Sequence, residues 1–312
     1  MTSHDPKSVL SDQDLPTVSV SKNDLSVNFV WSLGEGRALE ARFVRRADDY
    51  FIVYLSSHTG CNQACRFCHL TATRQVSFDD ATAEDFERQA LAVLGHYDAE
   101  VAAGRQIAAA RVHFNWMARG EPLLNPTMTQ QPEALLGQLA RLASARDLDV
   151  QFNVSSIFPA GVPLDALETL AAQPKVQFFY SLYSLDPAFR TRWLPKARDP
   201  LESLAWLAKT QARVGTPVTL HWTLIAGEND SLDDAIDLAE AVHESGLQAK
   251  FNLVRYNPFS AAQGTEASEQ AIATTFSIMS KRTDGARSRV VPRVGFDVKA
   301  SCGMFVDARA AA

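Results

Sequence analysis

The stretch Cys61-Asn62-Gln63-Ala64-Cys65-Arg66-Phe67-Cys68-His69 contains three of the four cysteines in the chain. Three thiolates at a C-x3-C-x2-C spacing can bind three irons of a [4Fe–4S] cube, because cysteine sulfur is the ligand that holds such clusters. The fourth iron is then left without a nearby protein ligand. The spacing therefore predicts an iron–sulfur loop with one iron open to chemistry and with Cys61, Cys65 and Cys68 as the metal ligands.

Two other kinds of site use closely spaced cysteines, and each fits the surrounding sequence poorly. Residues 65–69 match the C-x-x-C-H pattern of c-type haem attachment, but residues 1–25 lack the apolar run and cleavage site of an exported protein. A structural zinc site needs a second ligand pair roughly 12 to 20 residues further on. After His69 the next histidine is His96, and no cysteine follows until Cys302. The spacing favours an iron–sulfur cluster.

The loop resembles the signature of the radical S-adenosylmethionine (SAM) superfamily, which has this spacing and an aromatic residue before the last cysteine, as Phe67 is here. Four further stretches narrow the resemblance to one family, the adenine methyltransferases RlmN and Cfr. The resemblance extends from about residue 26 to about residue 306 and so covers most of the chain. The four stretches are Ser56-Ser57-His58-Thr59-Gly60-Cys61, Gly120-Glu121-Pro122-Leu123-Leu124-Asn125, Asn257-Pro258-Phe259 and Ala300-Ser301-Cys302-Gly303.

Composition favours one large α/β core. The chain has 312 residues, of which 46% are hydrophobic and 21% are charged, which suits a barrel-sized domain. No apolar run approaches the roughly 18 residues that a membrane span needs. With three of the four cysteines in the loop there is no disulfide framework, and an oxygen-sensitive cluster suits a reducing compartment. We therefore expect a soluble, cytoplasmic protein with no membrane partner.

The charge distribution gives mixed indications about nucleic acid. The net charge of −6 does not favour a general RNA binder, because phosphate contacts require many lysines and arginines. Residues 281–309, however, form a locally basic segment around Cys302. Either a solvated surface or a nucleic-acid contact accounts for such a segment.

The order of apolar runs predicts four parts. Residues 1–24 are polar without a sustained period, which indicates a flexible tail. Residues 25–48 contain two short strands around a Gly-Glu-Gly turn, typical of a β-hairpin extension. Residues 49–285 alternate six strands with six helices, which predicts parallel βαβ units and an α/β fold, a partial (β/α)6 TIM-like radical SAM barrel. Residues 286–312 form a C-terminal segment that carries Cys302.

The predicted strands bring the motifs to one end of the barrel. In such folds, function collects on loops at the carboxyl ends of strands, and the cysteine loop, Gly120-Glu121 and Asn257-Pro258 each follow a strand. The predicted strands are residues 51–55, 112–117, 150–154, 176–182, 218–225 and 251–256, and the predicted helices lie near residues 83–102, 132–146, 164–172, 200–214, 232–246 and 266–281.

The family resemblance implies a SAM site on these loops. A SAM molecule on the open iron presents amino, carboxylate, ribose and adenine groups, which backbone acceptors and small polar side chains can bind. Two positions depart from the family: Asn153 stands where the family has serine, and Tyr183 where it has histidine. By resemblance, Gly120 and Glu121 bind the methionine amino end, and Asn153, Ser181, Leu182, Tyr183 and Asn229 lie along the ribose and adenine.

The resemblance also implies a role for the fourth cysteine, Cys302. In RlmN and Cfr, one SAM methylates the corresponding cysteine, and the 5′-deoxyadenosyl radical from a second SAM takes hydrogen from that methyl group. The carbon radical adds to a ring carbon of adenine and gives a covalent adduct. A second cysteine, seven residues before the first cluster cysteine, releases the product, and here that position is Tyr54. A phenol cannot replace an attacking thiolate, so the family mechanism cannot run unchanged.

These features predict a radical SAM methyltransferase that uses Cys302 as a methyl and methylene carrier. Its expected substrate is an sp2 carbon of an adenine-like group, with RNA as the expected partner and a flavodoxin- or ferredoxin-type protein as the electron donor. The alternative is a radical SAM enzyme that acts on a small molecule or free nucleotide, which the acidic balance and Tyr54 favour. A non-catalytic RNA or SAM binder is less consistent with an intact cluster motif.

Overall fold

The computed structural model describes residues 7–11 and 13–309, and these residues contain one ten-stranded sheet whose strands follow chain order. Apolar runs of five to eight residues form most of the strands, as β propensity requires of a buried sheet. The strands are β1 (Thr17–Val20), β2 (Val27–Ser32), β3 (Ala38–Arg45), β4 (Tyr50–Tyr54), β5 (Arg111–Trp116), β6 (Asp149–Ser156), β7 (Val176–Tyr180), β8 (Val218–Thr223), β9 (Ala249–Val254) and β10 (Arg289–Val291).

The sheet changes from antiparallel to parallel at β4. Strands β1 to β4 pair antiparallel, and β2 with β3 forms a hairpin where the sequence predicts one. Strands β4 to β10 pair parallel in sequential order. The predicted α/β class is confirmed, and the sequential parallel order is consistent with a partial barrel. The division of the chain into four parts stays a prediction.

Helices connect the parallel strands and pack against the sheet. Helix α2 begins in a capping box between Thr82 and Asp85, and its Tyr97 ring stacks on Phe51 of β4 with ring centroids 4.2 Å apart. The helices of the described residues are α1 (His69–Ala72), α2 (Ala83–Ala102), α3 (Pro126–Gln130), α4 (Pro132–Ser144), α5 (Glu168–Ala171), α6 (Pro187–Trp193), α7 (Pro200–Val214), α8 (Leu232–Glu244) and α9 (Glu269–Ser280).

The segment predicted to be a flexible tail is partly ordered, so that expectation needs correction. Residues 17–20 form β1, which adds to the edge of the hairpin through β2. Ahead of it, Leu10 is buried and its amide donates to Asp85 Oδ1 (2.9 Å). The composition of the segment is polar, but backbone hydrogen bonds and one apolar side chain are enough to hold it. Residues 1–6 and 12 lie outside the described residues.

The C-terminal segment adds a strand that the sequence pattern does not predict. β10 pairs parallel with β9, so the described sheet has seven parallel strands rather than the predicted six. Three residues are too few for an apolar period to be visible in sequence. None of the helices in the described ranges is long and apolar enough to cross a membrane.

Candidate active site

The cysteine loop connects β4 to α1, and backbone hydrogen bonds fix both of its ends. The Cys61 amide donates to the Gln75 carbonyl (3.1 Å), which holds the start of the loop. The His69 amide, directly after the last cysteine, donates to the Gly303 carbonyl (3.0 Å). Since Gly303 follows Cys302 in the chain, this bond couples the loop to the segment that carries the fourth cysteine.

The three loop thiols lie in a desolvated environment. Burial, with the nearby Cys68, raises the pKa of Cys61 to about 12, and burial also raises the pKa values of Cys65 and Cys68. Metal binding requires thiolates, so a bound metal group would have to displace these protons. Across residues 7–11 and 13–309, no three His, Cys, Asp or Glu side chains converge on a point that could hold a single ion. The donor set fits a cube, in which each thiolate binds a different iron, better than it fits zinc.

The three cysteines line a cavity of about 710 Å³, measured out to its open mouth, which we call the cluster cavity. Three buried polar atoms of residues in its wall, Ser155 Oγ, Gln63 Oε1 and Trp116 Nε1, have no hydrogen-bond partner among the described residues. Such atoms, beside several small polar side chains, suit a ligand with amino, carboxylate and ribose groups, as SAM has. Other residues of this wall are Gly120, Glu121, Ser156 and Ser181.

Gly120 occupies a position that excludes any side chain. Its φ is +96°, and a Cβ there would lie 2.4 Å from His58 Nδ1 and 2.5 Å from Ser57 Oγ. Glycine is therefore required both by the backbone conformation and by the close approach of the residues after β4. The consequence is that backbone, not side chain, faces the cavity at this point.

Glu121 places a buried carboxyl group on the cluster cavity. Its two oxygens accept hydrogen bonds from the amides of Leu123 and Ile157, each at 3.2 Å. Burial raises the pKa of Glu121 to about 7 despite these bonds. A cationic group in the cavity would favour the charged carboxylate, so Glu121 suits the amino end of SAM.

The structure brings only part of the predicted SAM residues to this cavity. Gly120, Glu121 and Ser181 line it, and Asn153 does not. The Asn153 amide instead donates to Asn115 Oδ1 (2.5 Å) and lines a second cavity. Ser155, two residues further along β6, lines the cluster cavity instead of Asn153. The sequence analysis did not name Ser155 as a candidate SAM ligand. The contacts of all these residues with SAM stay predictions.

Asn229 and Tyr183 shape the backbone near the site, and neither lines the cluster cavity. Asn229 Oδ1 accepts from the Ile225 amide (2.7 Å), and Asn229 Nδ2 donates to the Tyr183 carbonyl (3.1 Å). The Tyr183 ring stacks on Phe67 of the cysteine loop with centroids 4.5 Å apart. Leu182, between these elements, is fully buried. Tyr183 thus packs directly against the cysteine loop, and Asn229 fixes the backbone of Tyr183.

Cys302 lines a second cavity, which we call the inner cavity, while its neighbour Gly303 lines the cluster cavity. Side chains from β4 to β10, together with Arg46 and Cys302, line the inner cavity. Cys302 Sγ is 3.7 Å from Met117 Sδ, and Met117 lines both cavities. Asn257 Nδ2 donates to the Cys302 carbonyl (3.1 Å), which fixes the backbone there. The asparagine of the predicted Asn-Pro-Phe motif thus has a structural role at Cys302.

Tyr54 shares the inner cavity with Cys302. Burial raises the pKa values of both the Tyr54 phenol and the Cys302 thiol, while the nearby Arg46 opposes this effect in each case. The phenol is therefore protonated at neutral pH. Tyr54 is in the position that the sequence assigns to the missing second cysteine, at the end of β4 and ahead of the cluster loop.

A buried group of charges that sequence reasoning missed holds the Cys302 segment in place. Glu40 binds Arg42 (2.9 Å) and Arg119 (2.7 Å), and all three side chains are at most 1% exposed. Arg42 donates to the Ser301 carbonyl (3.2 Å), and Arg119 donates to the Val306 carbonyl (2.6 Å). A glutamate and an arginine at alternate positions of a strand usually indicate a solvent face, so the sequence carries no signal for this triad.

Two arginines of the basic segment 281–309 form ion pairs within the protein. Arg287 pairs with Asp284 (2.5 Å), and Arg293 pairs with Glu266 (2.9 Å). These contacts leave fewer free cations near Cys302 than the sequence suggests.

Comparison with known proteins identifies the family. The model of the radical SAM superfamily matches residues 55–239, more than half of the chain. The chain belongs to the radical SAM superfamily. It is 30% identical over 297 residues to the probable dual-specificity RNA methyltransferase RlmN 1 of Opitutus terrae, covering 90% of this chain and 76% of that protein. It is 26% identical over 290 residues to the probable RlmN of Thermosynechococcus vestitus, covering 92% and 78%.

A solved structure shares the fold. The crystal structure of a radical SAM methyltransferase from Sphaerobacter thermophilus gives a TM-score of 0.71 at 22% identity, covering 93% of this chain and 81% of that one. The superfamily match and the RlmN relatives show that this radical SAM protein is an enzyme of the RlmN-like methyltransferase type, with a [4Fe–4S] cluster and SAM as its cofactors. The predicted family, enzyme class and cofactors are confirmed.

Proposed function

We propose that this radical SAM enzyme uses Cys302 as a methyl and methylene carrier and transfers the carbon to an sp2 carbon of an adenine-like substrate. The observation that supports this most is that Cys302 lines the inner cavity, while its neighbours Met117, beside its sulfur, and Gly303 line the cluster cavity. A carrier has to reach a methyl donor on one side and a substrate on the other. The only other thiols of the chain are the three in the cluster loop.

The roles of the remaining residues follow from their places on the cluster cavity. When bound, the cluster and SAM supply the methyl group and the one-electron chemistry. The chain itself orients the methionine end through the backbone at Gly120 and the carboxylate of Glu121, and it fixes the carrier through Asn257. In this proposal Cys61, Cys65 and Cys68 hold the cluster, and Ser155 and Ser181 bind polar groups of SAM.

Methylation of Cys302 requires its thiol to lose a proton. Burial raises the pKa of this thiol, and the positive charges of Arg46 and Arg42 counteract the increase. A guanidinium group near a thiol favours the thiolate, which is the nucleophile. Arg46 thereby serves as a positioning residue for the charge of Cys302.

Release of the product cannot use a second cysteine of this chain, because Tyr54 occupies its position. We propose that an external thiolate attacks the Cys302 sulfur. An S–S bond would form as the S–C bond breaks, and the electron pair would stay with the product carbon, which takes up a proton. A second external thiol would then reduce the disulfide.

The relatives and the inner cavity point to different substrates. The names of the relatives refer to RNA methyltransferases, which supports RNA as the substrate. In this proposal a flavodoxin- or ferredoxin-type protein supplies the electrons. A second candidate is a small molecule or free nucleotide. It is favoured by the inner cavity, whose polar walls lie inside the sheet and reach Cys302.

The test is anaerobic incubation of the reconstituted enzyme with SAM and a reductant, followed by intact-protein and peptide mass spectrometry. We expect one methyl group on Cys302 in the wild type and none in Cys302→Ala or in the nearly isosteric Cys302→Ser. Both variants should retain iron and still produce 5′-deoxyadenosine, because neither touches the cluster loop. Methyl transfer to substrate by Cys302→Ala at the wild-type rate would refute the carrier role.

A further inference from the structure

A row of polar side chains crosses the first four parallel strands on the inside of the sheet. Tyr54 of β4 pairs in register with Asn115 of β5, Asn115 pairs with Asn153 of β6, and Asn153 pairs with Gln177 of β7. All four line the inner cavity. The interior of a parallel barrel is normally filled with branched apolar side chains. Three amides and a phenol in this place indicate a binding site rather than a packed core.

A second polar row crosses the last three strands. His221 of β8 pairs with Asn252 of β9, which pairs with Arg289 of β10, and Lys250 lies two residues before Asn252. These side chains line the same inner cavity. Burial lowers the pKa of His221 to about 3, so its ring is a neutral hydrogen-bonding group. Together, the two rows line the cavity with amide, imidazole and cationic groups.

The charged groups of the inner cavity are all positive. Arg46, Lys250 and Arg289 line it, and among the described residues no aspartate or glutamate does. Within residues 7–11 and 13–309, none of the three forms an ion pair, whereas Arg293 nearby pairs with Glu266 (2.9 Å). The carboxylate near Lys250, Asp284, already pairs with Arg287 (2.5 Å). A group of cations with an excess of positive charge attracts an anion, and arginine binds phosphate with good geometry.

Two buried polar atoms also lack partners. Asn153, which is 3% exposed, uses its Nδ2 to bind Asn115, but its Oδ1 has no hydrogen-bond partner among the described residues. The same holds for His221 Nδ1. A buried polar atom without a partner costs free energy, which a ligand on the cavity would recover. The volume of the cavity, counted with the open space at its mouth, is about 590 Å³.

We infer that the inner cavity binds a small phosphate-bearing molecule with a planar, hydrogen-bonding ring, of the size of a nucleoside monophosphate, and presents it to Cys302. Its phosphate contacts Arg46, Lys250 and Arg289, and its ring edge contacts the amides of the first row. This inference rests on the proposed function only in taking Cys302 as the reacting group. Binding to the cavity does not require carbon transfer.

An RNA strand fits this arrangement less well. Its phosphates would have to lie outside the sheet, and there the arginines nearest to Cys302 are already neutralised: Arg255 pairs with Glu269 (2.6 Å) and Arg293 with Glu266 (2.9 Å). Arg46, Lys250 and Arg289, which form no ion pair among the described residues, line the inner cavity instead.

The experiment is isothermal titration calorimetry under argon on the cluster-loaded enzyme, with SAM kept saturating so that added adenine compounds do not occupy the cluster cavity. The probes are AMP, adenosine, inorganic phosphate and a short adenine-containing RNA. The test variants are Lys250→Gln and Arg289→Gln, whose side chains are unpaired and partly exposed, so that neither leaves a buried partner behind. The matched control is Arg105→Gln, an exposed arginine paired only with Glu100.

We expect AMP to bind at least about tenfold more tightly than adenosine, because phosphate adds charge-assisted hydrogen bonds. Each test variant should weaken AMP binding about tenfold, the control should not, and inorganic phosphate should compete with AMP. Equal affinity for AMP and adenosine would overturn the inference, as would AMP binding that neither variant changes. So would RNA that binds more tightly than AMP and is insensitive to both variants.

The outcome is separable from that of the proposed function. AMP binding is measured without a reductant and so without turnover, and a wild-type enzyme in which Cys302 is never methylated can still show the binding result. Conversely, methylated Cys302 in an enzyme that does not bind AMP would refute only the inner-cavity site.

Discussion

Replacement of Glu40 by glutamine should reveal how strongly the Cys302 segment depends on buried charge. Glu40 is fully buried and accepts hydrogen bonds from Arg42, Arg119 and the Val306 amide (3.0 Å). In Glu40→Gln the guanidinium groups of Arg42 and Arg119 lose their counter-charge. The NH2 group of the new glutamine also cannot accept a hydrogen bond from them. Breaking a buried ion pair in this way costs about 3–5 kcal/mol. That is a large share of the roughly 5–15 kcal/mol by which proteins are stable.

The pKa of Glu40 determines how the loss of stability in Glu40→Gln changes with pH. Burial alone would raise the pKa of Glu40, but Arg119 and Arg42 outweigh it, and the pKa is lowered below its usual value. A carboxyl whose pKa is lower in the folded state stabilises the protein above its unfolded pKa. That stabilisation is lost as the pH falls through the folded pKa. The stability difference between wild type and Glu40→Gln should therefore be full at pH 7 and shrink in acid.

The assay is urea unfolding followed by circular dichroism under argon, at pH 7 and at pH 4, with hydrogen exchange of residues 301–306 as a second readout. Glu100→Gln, which breaks an exposed pair with Arg105, is the control and should change neither measurement. We expect faster exchange of residues 301–306 in Glu40→Gln. A loss of less than about 1 kcal/mol at pH 7, the value of a surface pair, with unchanged exchange would show that the triad does not hold the segment.

Three further outcomes are expected. Cys68→Ala should lose most of its iron, measured by iron analysis and absorbance; retention of four irons per chain would contradict the assigned ligands. Gly120→Ala should weaken SAM binding at least about tenfold, since its Cβ would meet His58 and Ser57; unchanged affinity would mean that the backbone there does not face SAM. Without added thiol, a covalent adduct through Cys302 should accumulate, and Tyr54→Cys should lower its level by supplying an internal thiolate. Rapid turnover with no adduct and no thiol dependence would exclude this route.

The sequence predicted the parallel strands well because their signals are local. β4 to β9 lie within or close to the predicted ranges, since each is an apolar run bounded by turn residues. The cysteine loop was also readable, because three ligands within eight residues depend on no distant contact. β1 and β10 were not readable, since Thr17–Val20 is mostly polar and Arg289–Val291 is very short.

The parts of the site that were missed depend on tertiary structure. Asn153 and Ser155 point to the same side of β6, and two residues along a strand move a side chain by only about 6.6 Å. That distance separates the two cavities, and no sequence pattern could decide which residue belongs to which. The role of Glu40 was also not readable from the sequence. Its partner Arg119 comes from the loop after β5, and only the folded chain brings the two together.

The bond between the His69 amide and the Gly303 carbonyl has a consequence for how the enzyme matures. The loop that receives the cluster is synthesised more than 200 residues before Gly303, the residue that completes its anchoring. At usual rates of translation, on the order of ten seconds or more separates the two. A newly made loop would spend this time exposed to oxygen and to competing metals. Cells that produce the protein should load its cluster only after Gly303 has been made, and nascent chains stalled before residue 303 should carry less iron than released ones.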